Sequence, residues 1–240
     1  TNGAIELAIA AWKKYLESYP DEPLVAKAWH YLGVCYMQQA EPDYVLAAEA
    51  FAHAIKDPQS DLREESLVNL GWCQFAAAGQ QEPSDEQRLK EALSAFRTLI
   101  KERPSSKYLD RALFYAGESA YALGQPREAV AYYDRLLALE ASKESPLRCD
   151  TFYARGIALE DLQRYDDAMA SYRQLLEGCK DDRLIIDARI RMGDASITHN
   201  RFDEAITQFA EVAKVDGPDR PYALLRQAFA LVQADRSGEA

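Results

Sequence analysis

The sequence predicts an all-α fold, a right-handed α-solenoid of antiparallel helix pairs with twelve helices, and three observations predict it. First, a small residue is followed four later by an aromatic and three after that by an apolar or small residue, six times over. The copies are Ala8-Trp12-Tyr15, Ala47-Phe51-Ala54, Ala92-Phe96-Leu99, Ala129-Tyr133-Leu136, Ala168-Tyr172-Leu175 and Ala205-Phe209-Val212. Second, a glycine stands upstream of each copy after the first, at Gly33, Gly71, Gly117, Gly156 and Gly193, with Ala228 in the same phase near the end. Third, apolar residues recur three or four apart around each turn, as in Ala112, Leu113, Ala116, Ala120 and Leu123, and no window alternates as a strand does. A motif at a fixed period means that each unit buries its apolar face against its neighbours.

Taken in order, residues 4–19 carry the first triplet with no glycine-bearing helix before it and read as a lone second helix. That start predicts a fragment of a longer chain, so a leader peptide could have preceded it. Full pairs are expected over about 24–58, 62–104, 107–142, 146–180 and 184–216, with a trailing helix over 219–234 and all of 1–240 a single array. The gap from glycine to the following alanine is twelve in three pairs: 117 to 129, 156 to 168 and 193 to 205. It is fourteen from Gly33 to Ala47 and twenty-one from Gly71 to Ala92, where a polar loop from Gly79 to Arg88 takes up the excess. Pro20, Pro58, Pro104, Pro146 and Pro218 fall between pairs, where a proline breaks no helix. A mid-helix glycine costs about 1 kcal/mol against alanine. Its recurrence therefore predicts that a facing helix passes too close for a β-carbon.

The chain has 39 acidic and 28 basic residues, a formal charge of −11, and no polybasic run. Neutralising phosphates needs clustered lysine and arginine, so nucleic acid is excluded as a partner. No apolar run approaches the roughly 20 residues of a transmembrane segment. Cys35 and Cys73 stand two residues after a glycine, where later copies hold Ser119, Ala158, Ala195 and Ala230. Low volume is what those sites share, so Cys35 and Cys73 are expected as small packing residues. None of the four cysteines, Cys149 and Cys179 included, forms a CxxC pair, and free core cysteine is the expectation over redox or metal chemistry. His30, His53 and His199 have no partner at metal-ligand spacing, so no metal and no cofactor is expected. No GxSxG, P-loop or dinucleotide-binding motif occurs, and Asp166-Asp167 and Asp181-Asp182 suit helix starts. The chain is therefore read as not an enzyme.

The segment Trp29-x2-Leu32-Gly33-x2-Tyr36, followed by Ala47-x3-Phe51 and Pro58, resembles the tetratricopeptide repeat, as does Ala116-Gly117 with Ala129-x3-Tyr133. Glycine-to-glycine spacings of 38, 46, 39 and 37 become 36, 37, 39 and 37 once the two turn insertions are removed, against a usual period of about 34. The surplus lies after the second helix, at Tyr19 to Pro23 and Arg103 to Ser106. That lengthened junction, and the stretch from Glu102 to Tyr121, is similar to a bacterial cell-envelope subgroup. The subgroup includes the lipoprotein of the outer-membrane β-barrel assembly machine and the periplasmic partner of the Tol-Pal system.

The resemblance implies that the first helix of each pair lines a concave face that binds protein. In that phase the face holds Lys27, His30, Val34 and Met37, then Glu65, Val68, Trp72 and Phe75, then Arg111, Phe114, Glu118 and Tyr121. Asp150, Tyr153, Ile157 and Glu160 follow, then Asp187, Ile190, Asp194 and Ile197. Trp72, Phe75, Phe114, Tyr121 and Tyr153 would clamp apolar side chains, and Glu65, Glu118 and Asp150 would favour basic ones. Rings at helical spacing fit core packing equally well, and both readings stand on the sequence. The carboxylate clamp of some co-chaperones is not matched, because the region offers His30, Val34, Asn69 and Arg111 among acids. The expected function is a scaffold binding a protein or peptide, basic or apolar, with the periplasm or cell envelope favoured by the resemblance. The alternatives are a structural spacer or self-associating scaffold, then a helical-array enzyme acting on peptidoglycan.

Overall fold

The computed structural model describes residues 2–80 and 84–235. Among them are twelve α-helices, one short 3-10 helix and no strand, which agrees with the expected fold class. The chain divides into two compact units, 1–145 and 146–240. The first holds α1 (Asn2–Ser18), α2 (Val25–Met37), α3 (Tyr44–Ala54), α4 (Arg63–Ala78), α5 (Glu86–Glu102), α6 (Leu109–Ala122) and α7 (Pro126–Ala138), then the 3-10 turn Glu140–Glu144. The second holds α8 (Arg148–Asp161), α9 (Tyr165–Gly178), α10 (Asp182–Thr198), α11 (Phe202–Ala213) and α12 (Arg220–Gln233).

Local chemistry explains where helices begin and end. Asp43, Asp85 and Asp181 cap α3, α5 and α10, their side chains accepting from the free N–H groups of the first turn at 2.9–3.2 Å. Pro126 opens α7, where its missing N–H costs nothing. In the three pairs with the twelve-residue gap, the first helix ends on a left-handed residue: Gly124, Gln163 or Asn200. The N–H of the next residue then reaches back to a carbonyl five residues earlier, Gln125 to Ala120, Arg164 to Leu159 and Arg201 to Ser196, at 2.8–2.9 Å. That pattern is the Schellman closure of a helix. Of the polar loop expected over 79–88, residues 81–83 lie outside the described residues.

The triplets form the core. Ala47, Ala92, Ala129, Ala168 and Ala205 are fully buried, as are Phe51, Phe96, Tyr133, Tyr172 and Phe209. Burying each ring contributes roughly 1.5–3 kcal/mol. The first copy, on α1, is only half-buried. Each recurring glycine sits under the ring of its own pair: a β-carbon on Gly71 would lie 2.6 Å from Phe96, and one on Gly33 would lie 2.9 Å from Phe51. Gly117, Gly156 and Gly193 face Tyr133, Tyr172 and Phe209 in the same way. The close approach expected at the glycines is therefore made by the middle residue of the triplet.

The cysteines divide. Cys73 is fully buried and its thiol is pushed up to about 12 by desolvation, as a small core residue's would be. Cys35 is also free and half-buried. Cys149 and Cys179 are not free: they form a disulfide, with Cα atoms 5.9 Å apart. The antiparallel pair α8–α9 explains this, because it returns the end of its second helix to the start of its first. Closing a loop of 30 residues restricts the unfolded chain by about 3–4 kcal/mol.

Candidate functional site

In the first unit α4 packs directly against α6, which places their outer rows side by side. Glu65 is half-buried, with its carboxylate 4.0 Å from His30 Nε2. Trp72 is half-buried and stands edge-on to Tyr44, with centroids 5.0 Å apart. Phe75 is half-buried and 5.7 Å from Tyr115. Tyr121 is half-buried and Glu118 accepts a hydrogen bond from Tyr133 Oη at 2.5 Å. Phe114 is only 8% exposed, its ring 5.1 Å from Tyr115 and 6.4 Å from Tyr133, so it belongs to the core and not to the exposed face.

Two other residues expected on the face belong to the core. His30 is 2% exposed with Nδ1 2.8 Å from Ser66 Oγ, and Val68 is fully buried. The reason is geometric. The residue one helical turn before each glycine lies beside the ring that covers the glycine, and His30 sits 5.5 Å from Phe51 just as Phe114 neighbours Tyr133. Burial holds the His30 imidazole below its ordinary range, against the opposing pull of Glu65 and Asp61.

The second unit has a cavity of about 940 Å³ between α8, the start of α9 and α10. Tyr153 lines it, joined by Glu160, Asp187, Ile190 and Asp194, all in the phase read from the sequence. Arg191, Tyr165 and His199 also line it and were not anticipated. A signal existed for one of them: an aromatic stands three residues before the triplet alanine at Tyr44, Tyr165 and Phe202. Arg191 Nη1 donates to Glu160 at 2.9 Å, its Nε donates to Tyr153 Oη at 3.2 Å, and its guanidinium lies 5.8 Å over the Tyr153 ring. Glu160 accepts in addition from Tyr172 Oη at 2.9 Å. Asp150 stands outside the cavity beside Cys149, where partial desolvation, and then the Asp181 carboxylate, hold its carboxyl above the usual range.

Among the described residues no three His, Cys, Asp or Glu side chains gather as metal ligands would. No helix among them is long and apolar enough to cross a membrane. The arrangement offers rings, carboxylates and a cavity, which suits recognition of side chains.

A family model described as tetratricopeptide repeat matches residues 1–61, 84–146, 114–183 and 190–240. No curated protein matches the sequence. Among solved structures, PilF of Pseudomonas aeruginosa is 19% identical with a TM-score of 0.59, over 97% of this chain and 90% of that one. PilW, described as a widely conserved type IV pilus biogenesis factor, is 19% identical with a TM-score of 0.57, over 91% of each chain. YrrB, described as a tetratricopeptide protein with an unusual peptide-binding site, is 21% identical with a TM-score of 0.59, over 79% of this chain and 86% of that one. At these identities the likeness is one of fold.

Proposed function

Because the chain belongs to the tetratricopeptide-repeat family, whose members serve generally as protein–protein interaction scaffolds, we propose that it is a non-catalytic scaffold holding a segment of a partner protein against its first helices. The observation that supports this reading is that Glu65, Trp72, Phe75, Glu118 and Tyr121 are all half-buried on α4 and α6, two helices packed directly together. A half-buried ring on a rigid helix presents apolar area at little ordering cost, which is what a binding anchor needs. In the second unit Tyr153 and Asp150 extend the same role. We place the scaffold in the cell envelope. The Cys149–Cys179 disulfide supports that reading, because such bonds persist in oxidising compartments.

The test is affinity purification with the chain in its native host, comparing wild type with Trp72→Ala and Phe75→Ala. Both variants should keep their helical circular dichroism and lose the same partner. Retention of every partner by both would end this reading.

A second reading, self-association, is favoured by α12, where Tyr222, Leu224, Leu225, Phe229 and Val232 are 43–69% exposed. Light scattering over a concentration series decides it. Association abolished by Leu225→Glu supports it, and a strict monomer refutes it.

A further inference from the structure

The cavity of the second unit holds three carboxylates, and they are not equivalent. Glu160 is engaged by Arg191 and Tyr172. Asp194 accepts from Arg226 Nε at 2.7 Å and from Tyr222 Oη at 2.8 Å. Asp187 makes no hydrogen bond or ion pair among the described residues, although it is half-buried on the cavity wall. Arg191, the arginine that lines the cavity, is spent on Glu160. Asp187 is thus a cavity carboxylate that no side chain among the described residues engages, since Arg191, one turn along α10, is directed to Glu160 and Tyr153 instead. Around it Tyr153, Tyr165 and Ile190 supply apolar area.

We propose that this cavity receives a lysine or arginine of a partner segment, with the cation against Asp187 and an adjacent apolar side chain on Tyr153 and Ile190. The volume, about 940 Å³, is at the upper end of ordinary ligand sites, room for several side chains. This rests on the reading of the chain as a segment-binding scaffold and adds where in the second unit the segment is read and by what chemistry.

The experiment uses a random dodecapeptide library displayed on phage, selected against the whole chain with its disulfide intact. Enriched peptides should carry Lys or Arg beside an apolar residue. Fluorescence anisotropy of one such peptide should show roughly tenfold weaker binding to Asp187→Asn. The same peptide with its basic residue replaced by glutamine should bind both proteins equally, a coupling that simple loss of fold would not produce. If the enriched peptides bind Asp187→Asn as tightly as wild type but lose affinity for Trp72→Ala, this inference fails and the scaffold reading stands. If no peptide is enriched, both fall.

Discussion

Tyr133 Oη donates to Glu118 at 2.5 Å, across the pair α6–α7. The ring is fully buried, and desolvation above all holds its hydroxyl far above the ordinary tyrosine range, so it is a permanent donor. Tyr172 repeats the arrangement with Glu160 at 2.9 Å. The other complete pairs carry Phe51, Phe96 and Phe209 at this place, and the first helices hold no glutamate one or four residues after their glycines. A buried hydroxyl needs an acceptor, and in these two pairs a glutamate of the first helix supplies it. Part of the acidity of the face is therefore structural.

We expect Tyr133→Phe and Glu118→Gln each to lower stability, with a coupling of about 0.5–3 kcal/mol in a double-mutant cycle read by urea denaturation. Strict additivity would mean that the hydrogen bond contributes nothing to the fold. Helix content should stay unchanged in all three variants.

Gly117→Ala should destabilise although alanine is the better helix former. The gain in propensity is about 1 kcal/mol, but the new methyl meets the Tyr133 ring, and overpacking costs about 1–3 kcal/mol. A net loss of up to about 2 kcal/mol is expected, recovered in part by adding Tyr133→Leu. A rise in melting temperature for the single variant would show that the ring yields freely.

His30 sets a pH dependence. Above about pH 6.5 its imidazole is neutral in both the folded and the unfolded chain. Burial lowers the folded-state pKa. As the pH falls below 6.5 the unfolded chain takes up a proton that the folded chain refuses, and stability present above that pH is lost toward the lower folded-state value. Between pH 7.5 and 5.5 the wild type should lose more stability than His30→Gln, by up to about 1.4 kcal/mol per pH unit. Parallel pH profiles for the two proteins would count against it.

Reduction should act on the second unit alone. Thiol titration of the unfolded, unreduced chain is expected to find two reactive cysteines, Cys35 and Cys73, and four after dithiothreitol. Cys149→Ser with Cys179→Ser should cost about 3–4 kcal/mol. Hydrogen exchange should place the loss in α8–α12 and leave α2–α7 protected as before.

The parts of the fold that were legible in the sequence are those set by local sterics at a fixed spacing. Gly71 and Phe96 announce each other because a ring and a missing β-carbon must occupy one volume. Asp181 announces its helix because its side chain caps it. The disulfide was not legible, since Cys149 and Cys179 share no motif and meet only through the hairpin. Helical phase alone assigned His30, Val68 and Phe114 to the face. It does not record that a ring from the second helix closes over that position. The Tyr133–Glu118 and Tyr172–Glu160 bonds were missed for a similar reason: tyrosine and phenylalanine count alike in an aromatic pattern, yet only one of them brings a hydroxyl inside. Asp187 and Ile190 fell in the right phase, while Arg191 reached the cavity through the length of its side chain.

The turns of the helix pairs are of two kinds, and this decides where the chain tolerates new material. Three are shut by a left-handed residue and a carbonyl-to-amide closure at Gly124, Gln163 and Asn200. An inserted residue there would break the closure and slide a ring off its glycine. The connections α2–α3 and α4–α5 carry additional residues in the sequence, without shifting Phe51 from Gly33 or Phe96 from Gly71. Those two loops are natural ports: a fluorophore, an epitope or a second module grafted there leaves the ring-and-glycine locks in register.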